Sequence, residues 1–378
     1  MDPLTHTLTG ATLAKAGLER LSPYATTVCV VAANAPDVDV LTRFGGPWFA
    51  LEHHRGITHS IIGTLTLGLL LPLFVCALEK IAARLFAAQP RIKLRGLIIA
   101  SLLACATHPL LDWLNSYGIR PLLPWDGRWY YGDILFIFDP WFWLVLGCAA
   151  FLLTARTRWR TALWGAFACA LTVAVVFLPL PVGGKLPFAV RALWLLGAGL
   201  TLLAWRARWG ARFGARLAQG ALLLMVCYCG ALALVHAQAL ASARTVAAAQ
   251  AAPRGETLLR VATMPTFADP FDWLAVAETE RASYRFQMRL GAESAAEPLR
   301  YEKPAGAGVA QVARAEQDWR AGVFLRFARF PVVLLQPDDS GDTLVHFDDL
   351  RFNAPAQTRT TPRGFSLDVR VPSQNRLR

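Results

Sequence analysis

Six apolar runs divide the first two thirds of the chain, at roughly 57–79, 96–114, 134–155, 161–181, 187–205 and 215–240. A helix rising ~1.5 Å per residue needs ~20 residues to cross ~30 Å of hydrocarbon, so each run predicts a membrane-spanning helix. Two shorter apolar stretches, 4–18 and 23–35, precede them and are separated by the polar Glu19-Arg20-Leu21-Ser22-Pro23. They predict a helical hairpin whose arms, ~20 Å long, fall short of a bilayer, with Ser22 and Pro23 as N-cap and first helical residue of the second arm. Beyond Leu240 the pattern changes. Residues 241–252 are Ala-rich, and short strands are predicted at 257–263, 273–278, 283–290, 321–329, 343–352 and 365–371, the last alternating from Phe365 to Val371. Asp338-Asp339-Ser340-Gly341-Asp342 and Asn353-Ala354-Pro355 predict turns. The expected architecture is an α-helical polytopic membrane protein, with about six spans plus the hairpin, and a small β-rich C-terminal domain. Residues 1–240 form the membrane-embedded part and 241–378 a linker and the β-rich extramembrane domain.

Composition agrees with the bilayer as solvent. Hydrophobic residues make up 55% of the chain against 17% charged, and mean hydropathy is +0.38. Asp2 and His6 replace the basic start of a signal peptide, and Lys15, Glu19 and Arg20 interrupt the apolar stretch, so no cleavable signal is expected. A net charge of +12 would suit a nucleic-acid binder, but the basic residues follow the loops. Lys80, Arg84, Arg91, Lys93 and Arg95 fill the first loop, Arg156, Arg158 and Arg160 the third, and Arg206, Arg208, Arg212 and Arg216 the fifth; the alternate loops carry only Arg120, Arg128 and Lys185. The positive-inside rule places loops one, three and five in the cytoplasm and the tail outside, and nucleic-acid binding is not expected. All seven cysteines lie in apolar segments, which excludes a disulfide framework or a zinc knuckle.

Candidate chemistry gathers in the first third. His6, Pro36-Asp37-Val38-Asp39, the run His53-His54-Arg55-Gly56-Ile57-Thr58-His59 and His108-Pro109-Leu110-Leu111-Asp112 sit at the ends of apolar segments, and five of the seven histidines are among them. Ionisable groups at membrane depth are costly, so they read as functional. An antiparallel arrangement of the spans brings the hairpin mouth, His59 and His108 to one face, which the loop charges make extracytoplasmic. His108 and Asp112 are four apart and share a helix face, so they suit one metal or a carboxylate bridging two; the competing reading is a structural histidine–carboxylate pair. Asp37 is expected as a ligand and Asp39 as a second ligand or base, against plain turn formation. His59 is the better-placed ligand and His54 the next, Arg55 suits a phosphate through its planar fork, and Thr58 suits a helix cap. Asp139-Pro140 has the form of an N-cap, while Asp133 is expected at a second metal or behind a ligating histidine. His236 and His346 lack companions and read as structural.

The motifs Met1-Asp2-Pro3-Leu4-Thr5-His6, Pro36-Asp37-Val38-Asp39, His54-Arg55-Gly56-Ile57-Thr58-His59-Ser60, His108-Pro109-Leu110-Leu111-Asp112 and Phe138-Asp139-Pro140 resemble the YdjM-like family of bacterial inner-membrane metal-dependent hydrolases. The resemblance extends to Asp269-Pro270-Phe271-Asp272-Trp273 in the tail. The order His, Asp, His, His-x-x-x-Asp is also distantly similar to zinc-dependent phospholipase C and related single-strand nucleases. That likeness implies His6, Asp37, His59, His108 and Asp112 as ligands, with Asp112 bridging. The chain has no histidine between 108 and 236, which favours one or two ions over three. The resulting expectation is a hydrolase using a divalent metal, with zinc favoured by the imidazole–carboxylate set. The metal activates water for attack on a phosphoester or acyl centre of a membrane lipid or lipid-linked substrate, with Asp37 or Asp39 as base. The alternatives are a metal or proton transporter and a structural module stapled by metal.

Overall fold

The computed structural model describes residues 1–177, 186–291, 297–337, 341–355 and 364–372. It divides into two compact units, Met1–Val38 with Arg55–Ala233 and Phe267–Asp269, and Asp39–His54 with Leu234–Thr266 and Pro270–Arg378.

The chain opens with the hairpin arms α1 (Pro3–Lys15) and α2 (Ala25–Asn34). Asp2 caps α1 by accepting from the Thr5 backbone N–H at 3.0 Å, with Pro3 following as a first-turn proline. Ser22 does not cap α2. Its Oγ accepts from the Lys93 backbone N–H at 3.0 Å, so the hydroxyl is engaged elsewhere, and α2 instead starts after Tyr24 at φ 65°. The arms approach closely at Gly10, where a Cβ would lie 2.5 Å from the Cys29 carbonyl oxygen. A 3-10 helix, Ala35–Gly45, and the short α3 (Pro47–His53) follow.

Next come α4 (Ile61–Leu85), α5 (Leu94–Trp113), α6 (Pro140–Thr154), α7 (Arg158–Phe177), α8 (Phe188–Arg206), α9 (Trp209–Phe213) and α10 (Ala215–Ala251). Among the described residues, five helices are long and apolar enough to cross a membrane, namely α4, α5, α7, α8 and α10. The run expected to span from 134 to 155 yields the 15-residue α6. Asp139 accepts from the backbone N–H groups of Trp141 and Phe142 and starts the helix at Pro140, which leaves ~22 Å of helix. The end of the run 161–181, together with Lys185, lies outside the described residues. Small side chains let α2 and α5 pack closely: Val28, Cys29, Ala32 and Ala33 bury against Leu97, Ala100, Ala104 and Cys105.

In the second unit, β1 (Leu258–Pro265), β2 (Asp272–Thr279), β3 (Ala282–Arg289) and β4 (Leu299–Glu302) form an antiparallel sheet in that order. The helices α11 (Ala307–Ala315) and α12 (Trp319–Phe327) precede a second antiparallel sheet of β5 (Pro331–Pro337), β6 (Thr343–Asp349) and β7 (Ser366–Val371). The strand expected at 321–329 is helical instead. Asp318 caps α12 through the Arg320 backbone N–H, and Ala321, Val323, Phe324 and Phe327 form its buried face. β5 escapes the alternating pattern because it is an apolar run closed by Pro331 and Pro337, which its position at a sheet edge tolerates. The turn residues Asp338, Asp339 and Ser340 lie outside the described residues.

Candidate metal centre

Four ligand-type side chains converge in the first unit: Asp37 from the 3-10 helix, His59 from the turn of 3-10 helix Ile57–His59 just before α4, and His108 and Asp112 from α5. One ligand atom from each lies within 4.8 Å of every other. His59 Nε2 and His108 Nε2 are 3.1 Å apart; Asp37 Oδ1 is 3.6 Å and 3.4 Å from them, and Asp112 Oδ2 is 3.3 Å and 3.6 Å. Five of the six separations are thus 3.1–3.6 Å, close to the ~3.4 Å between ligand atoms that zinc bonds of ~2.1 Å set, and the sixth, between the two carboxylates, is within 4.8 Å.

Local structure explains how the ring faces are set. His108 Nδ1 lies 2.7 Å from the Ala33 carbonyl oxygen, so Nδ1 carries the proton and donates, and Nε2 turns its lone pair inward. His59 Nδ1 lies 3.1 Å from Thr58 Oγ1, which orients Nε2 the same way. Thr58 therefore touches the ring, and Ser60 takes the capping position of α4 by accepting from the Gly63 N–H. The side chains of His59, His108 and Asp112 are at most 1% exposed, whereas Asp37 is 27% exposed. Burial alone would raise the Asp37 carboxyl, but its contacts with His108 and His59 outweigh that and hold it below the usual carboxylate range. Two imidazole nitrogens and two carboxylates facing one another at 3.1–3.6 Å are the kind of donor set that binds a divalent cation. The residues present fit a divalent cation.

Asp112 is the most connected member. Arg55 lies beneath it, 2% exposed, with Nε 2.9 Å from Oδ2 and Nη2 3.1 Å from Oδ1. Arg55 Nη1 donates to Asn115 Oδ1 and to the carbonyls of Gly118 and Asp112. The fork expected to hold a phosphate is thus spent on orienting Asp112. Oδ1 of Asp112 also meets the Met1 amino group and lies 3.4 Å from His6 Nε2. His6 stacks on His108 at 3.7 Å between centroids and is fully buried, and among the described residues neither of its ring nitrogens has a hydrogen-bond partner.

The other expected site residues fall elsewhere. Asp39 and His54 belong to the second unit and pair with each other at 3.2 Å. Asp133 is buried at φ 55° and is outside the four-residue group. Asp139 is the α6 cap and accepts from the Tyr228 hydroxyl at 3.0 Å. His346 pairs with Asp368, and His236 lies beside the Trp273 ring. The sequence reasoning missed Asn115 and Gly118, which complete the Arg55 cradle. Their available signal was a polar Asn115-Ser116-Tyr117-Gly118 segment directly after an apolar helix, with Gly118 at φ 84°.

Comparison with known proteins bears on the segment that holds this cluster. Residues 1–182 match the YdjM inner membrane protein family. With the five apolar helices, this match places the protein in a membrane. The matched YdjM segment contains His6, Asp37, Arg55, His59, His108 and Asp112, and it ends before the Asp269-Pro270-Phe271-Asp272-Trp273 motif of the tail. The Bacillus subtilis (strain 168) protein YfhP, described as uncharacterized, is 27% identical over 150 residues, covering 37% of this chain. The aligned part spans 42% of the length of YfhP. No solved structure matches the chain.

Proposed function

We propose that the protein is a divalent-metal-dependent hydrolase of the bacterial inner membrane, cleaving a phosphoester or other ester of an amphiphilic substrate at the membrane surface. The convergence of His59 Nε2, His108 Nε2, Asp37 Oδ1 and Asp112 Oδ2 carries this reading. Its imidazole and carboxylate atoms favour zinc. When bound, such an ion supplies an acidified water and compensates negative charge that develops at the scissile centre. The protein's part is to hold the ligand atoms in place. His108 is locked by the Ala33 carbonyl and Asp112 by Arg55, while Asp37, the member most open to solvent, serves as ligand on the side from which a substrate approaches. The excess of Lys and Arg in the alternate loops supports an extracytoplasmic position for this face.

One observation favours a second reading, in which the metal only staples helices. There are four protein ligands, the number found in structural zinc sites, whereas catalytic sites keep a position open. A transporter is less favoured, because the polar groups cluster near one end of α5. The deciding experiment uses purified full-length protein with its metal measured, removed and restored, and assays chromogenic phosphoesters and acyl esters. Hydrolysis is expected to follow metal content, and Asp37→Asn, which removes an anionic ligand, to lower bound metal and turnover together by about 10–100-fold or more. Bound metal whose removal unfolds the protein, with no ester hydrolysed in any state, would establish the staple.

A further inference from the structure

The 3-10 helix Ala35–Gly45 runs for 11 residues, although runs beyond three or four are uncommon. With three residues per turn, side chains at i, i+3 and i+6 eclipse one another, and here they are Val38, Leu41 and Phe44. All three are exposed, at 46%, 58% and 91%. Val40 and the exposed Arg43 flank this stripe. The opposite edge is polar and turned in: Asp39 is buried, pairs with His54, and its carbonyl accepts from the Thr42 hydroxyl at 2.6 Å. The helix is therefore amphipathic with its apolar stripe facing outward, the reverse of what a segment packing its apolar side on its own protein would show.

Chain connectivity limits where this stripe can lie. The Ala33 carbonyl is held at His108, five residues before the end of the α5 span, which is ~8 Å below the end of that helix. From Ala35 the 3-10 helix rises ~2.0 Å per residue, so Phe44 is at most ~18 Å further on. The remaining hydrocarbon and the interfacial layer of ~5–8 Å together account for most of that reach. Apolar and aromatic residues at such a depth, with an arginine beside them, have the composition of an interfacial anchor.

We propose that the Val38–Leu41–Phe44 stripe inserts into the lipid interface and holds this helix on the membrane surface, with Arg43 meeting anionic headgroups. The proposal concerns lipid contact and is independent of the hydrolase reading. Phe44 makes a suitable probe site because, at 91% exposure, replacing it removes almost no internal packing.

The test uses full-length protein, its native cysteines replaced by alanine, in nanodiscs of phosphatidylcholine and phosphatidylglycerol. Phe44→Cys carries a bimane label, and Glu302→Cys, 77% exposed on β4, serves as the aqueous reference. The label at 44 should emit further to the blue than the reference. It should also lose more intensity to headgroup-nitroxide lipid than to iodide in the buffer. Quenching by iodide alone overturns the proposal. So does shielding from both quenchers, which would mean that protein, such as a second copy of the chain, covers the stripe. If the alanine background does not fold, a genetically encoded fluorescent residue at position 44 makes the same measurement with every native cysteine retained.

Discussion

Both units bury ionisable groups, and they treat them in opposite ways. In the second unit Asp349 and Arg351, each with its side chain fully buried, form an ion pair at 2.7 Å; Asn353 donates to Asp348 at 3.0 Å, and His346 Nδ1 meets Asp368 at 2.7 Å. Donor faces acceptor each time, with partners a few residues apart or across the β6–β7 ladder. In the first unit like faces like: His59 Nε2 opposes His108 Nε2, and two carboxylates converge on them. Arg55 neutralises Asp112, but the space between the four ligand atoms is lined by imidazole nitrogen and carboxylate oxygen. Burial of polar groups alone therefore does not separate function from architecture. What separates them is whether the set is already balanced or still requires a cation.

The sharpest way to break this contrast is His59→Ala, which removes one imidazole and leaves the Arg55–Asp112 pair whole. Partners outside the coordination sphere typically cost about 10–100-fold in metal affinity when lost, so removing a ligand should reduce affinity by at least that much. Elemental analysis of the purified variant checks it; full metal occupancy would place the first unit's cluster with the structural pairs of the second. Next in size is Asp349→Ala, which takes the carboxylate away from the buried Arg351 guanidinium between the rings of Phe327 and Phe352. Breaking a buried pair in this way costs about 3–5 kcal/mol. Denaturant or limited-proteolysis midpoints of the second unit should fall while bound metal stays unchanged. A parallel loss of metal would erase the distinction between the regions.

The smallest expected effect is a pH dependence confined to the second unit. Burial acts to raise the Glu256 carboxyl, but bonds from Arg300, Thr279 and Tyr284 outweigh it and lower it below its ordinary value. A depressed carboxyl contributes stability that is fully present above the unfolded value of ~4.3 and is lost as the pH falls through the lower folded value. Acid titration of the Glu256→Gln variant should show a shallower fall in the second unit's stability below about pH 4.3 than the unsubstituted protein shows. Identical acid profiles would remove Glu256 from the balanced set.

The apolar runs and the chemical kinds of the candidate ligands were legible in the chain alone. Hydropathy is a local property, and a span satisfies its own backbone hydrogen bonds, so α4, α5, α7, α8 and α10 follow from runs of residues without reference to a partner. The shorter α6 was nearly as legible, since Asp139-Pro140 advertises where it begins. Local reading failed at 321–329, where an apolar segment suits either a strand or a helix until the Asp318 cap and the packing of Phe324 and Phe327 decide. It failed again among the polar residues. Asp37 and Asp39 are equivalent in composition, but two residues on a 3-10 helix are ~240° of rotation, so one joins His59, His108 and Asp112 while the other turns to His54. Arg55 carries a fork that fits phosphate and carboxylate equally, and only the approach of α5, with Asn115 and Gly118 behind it, assigns that fork to Asp112. The sequence by itself determined the membrane helices and the ligand types, because those depend on local periodicity and side-chain chemistry. Which ligand-type residues meet, and whether their charges balance, the tertiary structure alone decided, because distances between groups as far apart in the chain as His6 and Asp112 are set by how helices pack.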